Sequence, residues 1–152
     1  MTALLLMVWL AWAAPPQAPI IDRLAGQWSG EGTVNGQRVR ADAVFDVVLQ
    51  GRFTRLQYRF VAGPATFEGH GYYTCEREKC RGQWFDSQGS QHLLSCVQEA
   101  NSFTAEWSTG TTPRGRTEYK LASATTLVVT DWIRTPAGEW REFGRVEYKR
   151  VP

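Results

Sequence analysis

The sequence predicts an all-β fold, a single antiparallel up-and-down β-barrel of about ten strands. Three observations carry this. About ten short segments alternate apolar and polar residues with a period of two, and turn-forming residues separate them. Asn35-Gly36, the strongest short signal for a two-residue hairpin, joins the first two segments. Beyond Leu24 no stretch has the apolar spacing of an amphipathic helix. The 152 residues make one domain by length. A chain of this size buries roughly two-thirds of its unfolded surface, enough for a core without staples.

The N-terminus is read first as a targeting segment. Leu4 to Leu10 is an apolar run, and Ala11-Trp12-Ala13 is a small-x-small cleavage site, so residues 1–13 are a signal peptide with cleavage after Ala13. No Lys or Arg precedes the apolar run. As a helix that run would reach about 16 Å, against a hydrocarbon core of about 30 Å, so no membrane span is expected. No Cys follows it to carry a lipid anchor. The expected location is periplasmic or secreted. Residues 14–23 are a linker, Pro15 to Pro19, leading into one helical turn that turns Ile20, Ile21 and Leu24 toward a core. The barrel domain is 24–152.

The strands are expected at 26–34, 37–49, 52–62, 66–75, 80–86, 91–98, 102–108, 115–121, 125–134 and 139–150. In 37–49, Val39, Ala41, Ala43, Phe45, Val47 and Leu49 alternate with Arg40, Asp42 and Asp46, so the odd face is inward. The Asn35-Gly36 turn pairs Val34 with Gln37, which turns Trp28, Gly30, Gly32 and Val34 inward. Gln50-Gly51 is a second candidate turn. It pairs Leu49 with Arg52 and turns Arg52, Thr54, Leu56, Tyr58 and Phe60 inward. If Cys75 and Cys80 pair across the next hairpin, Phe67, Gly69, Gly71 and Tyr73 share an inner face with Gly82, Trp84 and Asp86. Trp84 then lies opposite Gly71, which leaves room for its ring. Paired strand positions sit about 4.5–5.5 Å apart, within disulfide reach, so a Cys75–Cys80 bond is expected, with Cys96 free. Phe103, Ala105 and Trp107 point inward. So do Trp140, Gly144, Val146 and Tyr148, with Glu142 on the same parity. Segment 125–134 is apolar on both faces and leaves Asp131 and Trp132 unplaced; segment 91–98 leaves His92 and Cys96 unplaced.

Up-and-down connectivity sorts these residues into two ends. One collects Trp28, Arg52, Cys75, Cys80 and Arg150 and is read as a plug. The other collects Phe60, Phe67, Trp84, Asp86, Trp107 and Trp140, an aromatic mouth with carboxylates. Seven Trp, seven Phe and five Tyr suit such walls. The formal net charge is +2 with both signs interspersed, so no footprint for nucleic acid or anionic lipid is present. Two His and three Cys lack metal-ligand spacing. No nucleophile elbow, phosphate loop or dinucleotide fingerprint occurs. No cofactor is implied.

Gly26-Gln-Trp28 opening the first strand resembles the calycin (lipocalin-like) superfamily, in which a late Arg or Lys packs on that Trp; Arg150 or Lys149 is placed to do so. Val48-Leu-Gln-Gly51-Arg52-Phe53, Thr66-Phe-Glu68-Gly69-His-Gly71 and Trp84-Phe-Asp86-Ser-Gln-Gly89, in that order, resemble the lipocalin-like family known as DUF1579 over about Leu24 to Lys149. The resemblance implies a ten-stranded barrel with an internal cavity and no established reaction. Trp28-Ser-Gly30-Glu-Gly32 is also similar to the opening of nitrobindin-type haem barrels. Those hold haem through a late His, and 143–152 contains none, which removes the axial ligand.

Each candidate residue has two readings. Arg52 is a plug residue bonded to carbonyls, or an anchor for an acidic ligand. Trp84 and Asp86 are a core Trp and a turn-capping Asp, or a pocket wall with a polar anchor. Glu142, near Trp140 and Trp107, is a rim carboxylate, or acts with Asp86 as an acid–base pair. His70 lies outside by parity. The expected function is binding of a small apolar or aromatic-bearing ligand by Trp84, Asp86, Trp107, Trp140, Glu142, Tyr58 and Phe67. No residue is singled out as catalytic. The alternatives are an envelope protein with a filled barrel and an enzyme using Asp86 and Glu142.

Overall fold

The computed structural model describes residues 17–110, 112 and 114–152; the expected signal peptide and the start of the linker lie outside them. One helical turn, α1 (Ile20–Arg23), precedes ten strands: β1 (Gly26–Val34), β2 (Gln37–Val48), β3 (Phe53–Ala62), β4 (Ala65–Glu76), β5 (Lys79–Asp86), β6 (Gln91–Gln98), β7 (Ser102–Ser108), β8 (Gly115–Ser123), β9 (Thr126–Arg134) and β10 (Trp140–Arg150). Each strand pairs antiparallel with its successor, and β10 returns to β1, closing the barrel. Closure leaves no unpaired edge. Among the described residues no helix is long and apolar enough to cross a membrane.

The turns set the register. Asn35 and Gly36 both take positive φ, 49° and 76°, as a type I′ turn requires, and Val34 pairs with Gln37. β2 and β3 pair in the expected register, Val47 with Thr54 and Val48 with Phe53, around Leu49-Gln50-Gly51-Arg52. Phe45, Leu56, Phe103 and Leu127 fill the interior, each no more than 1% exposed. Cys75 and Cys80 are opposite each other and joined by a disulfide; Cys96, paired with Cys80 across β5–β6, is free and buried.

Two parts of the parity map are corrected. Val47 and Leu49 share the inner parity of β2 but are 57% and 65% exposed. β1 begins at Gly26 opposite Phe45, so the β2–β3 hairpin runs past its neighbour and its tip has no barrel to face. The larger correction is in β10. The register against β9 slips between Glu142 and Gly144, a β-bulge at Phe143. One extra residue exchanges the two faces. Gly144, Val146 and Tyr148 point inward as expected, but Trp140 and Glu142, expected in the mouth, stand on the outside opposite Arg134 and Trp132.

Candidate functional site

The closed end is built from polar groups that bond to one another, with one exception: the Arg23 Nε is buried there with no hydrogen-bond partner among the described residues. Trp28 is 1% exposed, and its indole Nε1 donates to the Leu24 carbonyl at 2.8 Å. The Arg150 guanidinium lies 4.2 Å over the Trp28 ring and donates to the carbonyls of Ala25, Arg23 and Ala124 at 2.6, 2.7 and 3.1 Å. Ile20, Ile21 and Leu24 of the helical turn and its C-terminal flank are buried there. Gln98 fastens the turn from inside, accepting from the Ile21 backbone N–H at 3.5 Å and donating to the Arg77 carbonyl. Arg52, expected among these residues, is exposed at the tip of the β2–β3 hairpin. The same overrun that exposes Leu49 carries it away from the plug.

From the other end a cavity of about 440 Å³ opens into the barrel. Phe60, Phe67, Trp84, Trp107, Ile133 and Phe143 form its upper wall, and Tyr58, Tyr73, Thr117, Tyr119, Val129 and Asp131 the deeper part. Phe60 and Phe67 stack at 5.2 Å, and Tyr58 packs against both at 5.9 and 6.1 Å. The two indoles sit on glycines. Gly71 is the strand partner of Trp84, as expected, but the ring leans one position along and occupies the space a side chain would take at Gly69, while Tyr73 covers Gly71. Trp107 likewise lies over Gly115, its partner on β8.

Of the seven residues expected to meet a ligand, Tyr58, Phe67, Trp84, Asp86 and Trp107 line this cavity; Trp140 and Glu142 do not. Asp86 works as a cap. It accepts from the Trp84 indole at 3.2 Å and from the backbone N–H groups of Gln88 and Ser90 at 3.0 and 3.1 Å, holding the β5–β6 turn. Glu142 is tied on the outside to Arg145, at 3.0 and 3.2 Å, and that contact holds its carboxyl below the usual range. The two carboxylates are on opposite faces of the wall and do not form an acid–base pair. Trp140 lies outside beneath Arg116 and Arg134, at 4.9 and 5.8 Å, and Arg116 also covers Trp132 at 4.5 Å.

The cavity instead presents two polar side chains that sequence parity left unplaced. Asp131 points inward from β9, one inner position below Ile133 and two above the buried Leu127. It packs against Gly144, and its Oδ1 accepts a 2.5 Å bond from the Thr117 hydroxyl. Burial pushes its carboxyl up to about 6, with the Thr117 bond acting the other way. Tyr58, Tyr73, Tyr119 and Tyr148 surround it; burial is the main cause that raises the pKa of each phenol, and the charge of Asp131 adds to it, behind Cys96 at Tyr73, behind Tyr73 at Tyr119 and behind Tyr58 at Tyr148. His92 points inward from β6 against Trp107, 5.2 Å between rings, and its Nδ1 is buried with no hydrogen-bond partner among the described residues. Strand pairing carried around from Tyr148 through Leu127 would have faced Asp131 inward. That signal is non-local, and the bulge at Phe143 falls within the same pair of strands.

The fold is one closed ten-stranded antiparallel barrel preceded by a single helical turn. Solved structures share it, two of them as follows. Rv2717c from M. tuberculosis superposes with a TM-score of 0.66 at 13% identity, covering 88% of this chain and 96% of that one. The S-type phycobiliprotein lyase CPES from Guillardia theta gives 0.59 at 12% identity, covering 88% and 91%. The superpositions establish a common fold, and at these identities nothing beyond the fold. No family profile and no curated protein matches the sequence.

Proposed function

We propose that this protein is an exported small-molecule receptor that holds one ligand inside the barrel. The observation that carries this is the cavity itself: about 440 Å³, walled by aromatic rings at the open end of the barrel. Ligand pockets run to about 300–1,000 Å³ and combine apolar walls with a few placed polar groups. A filled barrel would have no such space, and its core would approach crystal-like packing. The segments similar to DUF1579 fit the same assignment, since that family's barrel is expected to enclose a cavity. A barrel of this kind also serves as the scaffold of a phycobiliprotein lyase. The disulfide between Cys75 and Cys80 suits an oxidising compartment and supports export.

The test is a titration with the neutral dye N-phenyl-1-naphthylamine, read by dye emission and by quenching of tryptophan. Saturable one-to-one binding is expected. Leu94→Phe, which adds volume at a buried cavity-lining position, should abolish it while near-ultraviolet circular dichroism stays native. No saturable binding, or binding indifferent to Leu94→Phe, would overturn the proposal.

A further inference from the structure

We infer that the ligand is an organic cation, an ammonium or similar nitrogen centre on an apolar body, with the Asp131 carboxylate as its counter-ion. The inference rests on the cavity being a ligand site and adds the charge of the occupant. Asp131 is surrounded by protein, and its remaining accessible surface faces the cavity. A carboxylate in that position needs a cation or several donors. The fold supplies one donor, the Thr117 hydroxyl, and no cation pairs with Asp131 among the described residues. Arg114, the one Arg in the cavity lining, belongs to the β7–β8 connection at the rim and forms no ion pair there among the described residues. Asp86, the other lining carboxylate, already holds three donors.

The walls point to the same chemistry. Tyr58, Phe60, Phe67, Trp84 and Trp107 turn ring faces or edges into one space. Aromatic faces attract cations through their quadrupole, and an aromatic box beside a carboxylate is a recurrent way to bind substituted ammonium groups. An anionic ligand would meet Asp131 and Asp86 with no buried cation to receive it. A neutral apolar ligand would leave Asp131 desolvated and unpaired.

The test uses two probes of equal shape: 2-(1-naphthyl)ethyl-trimethylammonium and its carbon isostere, in which a quaternary carbon replaces the nitrogen. At pH 8 the cation should bind at least about tenfold tighter than the isostere. Asp131→Asn, checked for native circular dichroism, should reduce that preference to under about threefold. Equal or tighter binding of the isostere overturns the inference and leaves the cavity reading intact. Failure of both probes to bind overturns both. A second measurement needs no variant. Asp131 with its pKa near 6 must be ionised to hold a cation, so affinity for the ammonium probe should fall as pH drops through 6, with proton uptake on release. The groups around it are Tyr58, Tyr73, Tyr119 and Tyr148, neutral throughout this range, with Asp86, His92 and Arg114 elsewhere on the cavity wall. Persistence of the pH effect in Asp131→Asn would assign it to another group and overturn the counter-ion role.

Discussion

The two ends of this barrel are made from the same kinds of side chain and put them to opposite uses. At the closed end an indole, a guanidinium and a helical turn satisfy one another: Trp28 donates to Leu24, Arg150 stacks on Trp28, and three backbone carbonyls receive the guanidinium. Polar groups that are buried and fully bonded stabilise and specify a fold. At the open end the indoles of Trp84 and Trp107 rest on glycines and line empty volume, while Asp131 and the Nδ1 of His92 lack full complements of partners. Unmet polar groups beside a cavity lower the stability of the empty protein and are satisfied when a matching ligand enters. The closed end also leaves one buried nitrogen, Arg23 Nε, without a partner among the described residues, so the difference lies in the empty volume beside the unmet groups of the open end, and that volume assigns binding to it.

The comparison can be broken most decisively at Trp28. Trp28→Ala should cost about 3–5 kcal/mol, through lost burial and the cavity left beneath Arg150. Denaturant unfolding measures it. A loss below about 1 kcal/mol would mean that the closed end is not the stabilising half.

Asp131 should behave in the reverse sense. Its carboxyl holds a proton to about pH 6 in the folded protein, against an ordinary value of 3.8. The folded state therefore binds the proton more tightly, and stability falls as pH rises from about 4 to about 6, by up to about 3 kcal/mol, then levels off. Asp131→Asn should stabilise the ligand-free protein at pH 7.5 by a similar upper limit and flatten that part of the pH profile. Thermal melts between pH 4 and 8 check both. A destabilised Asp131→Asn protein with an unchanged profile would make Asp131 a structural residue.

The Cys75–Cys80 bond closes a short loop across one hairpin. In the chain-entropy model its removal by Cys75→Ser with Cys80→Ser should cost about 2 kcal/mol. Unreduced, unfolded wild-type protein should show one reactive thiol, from Cys96. Three reactive thiols in protein expressed in an oxidising compartment would remove both the bond and its support for export.

Much of the fold is legible in the sequence, for reasons that are local. An Asn-Gly turn fixes one register, alternation on β2 fixes which face is inside, and each tight hairpin passes the assignment to the next strand. The chain of inference holds through β5 and places Tyr58, Phe67, Trp84 and Asp86 on the cavity wall. It weakens where a strand is apolar on both faces. β9 carries Val128, Thr130 and Trp132 outward, yet Thr130 is 3% exposed beneath its neighbours, so alternation gives no contrast and Asp131 stays hidden. It fails where alternation is interrupted. In Trp140-Arg-Glu-Phe-Gly-Arg-Val the one local sign of a bulge at Phe143 is the isolated Gly144, and the parity read back from Tyr148 is right only as far as that glycine. Capping is a third gap: parity turns Asp86 inward, but only geometry shows its oxygens already engaged.

The bulge supplies the smallest and most discriminating contrast. Without it Trp140 would stand beside Trp107 in the mouth, and its loss would weaken binding as Trp84→Ala should. With it, Trp140 is an outer residue whose ring is held by Arg116 and Arg134. Contacts of that kind at exposed sites are worth about 0.5–1 kcal/mol. Trp140→Ala should therefore lower stability by about that amount and leave dye affinity within about twofold of wild type. Trp84→Ala removes a wall of the cavity and should weaken the dye about tenfold or more. The two substitutions delete the same side chain from strands that both border the open end, so residue type and distance from the mouth are nearly matched and the face of the wall is what differs. If Trp140→Ala proves as damaging to binding as Trp84→Ala, β10 is continuous through Phe143. Glu142 would then return to the interior, where it would compete with Asp131 as the charge that a ligand meets.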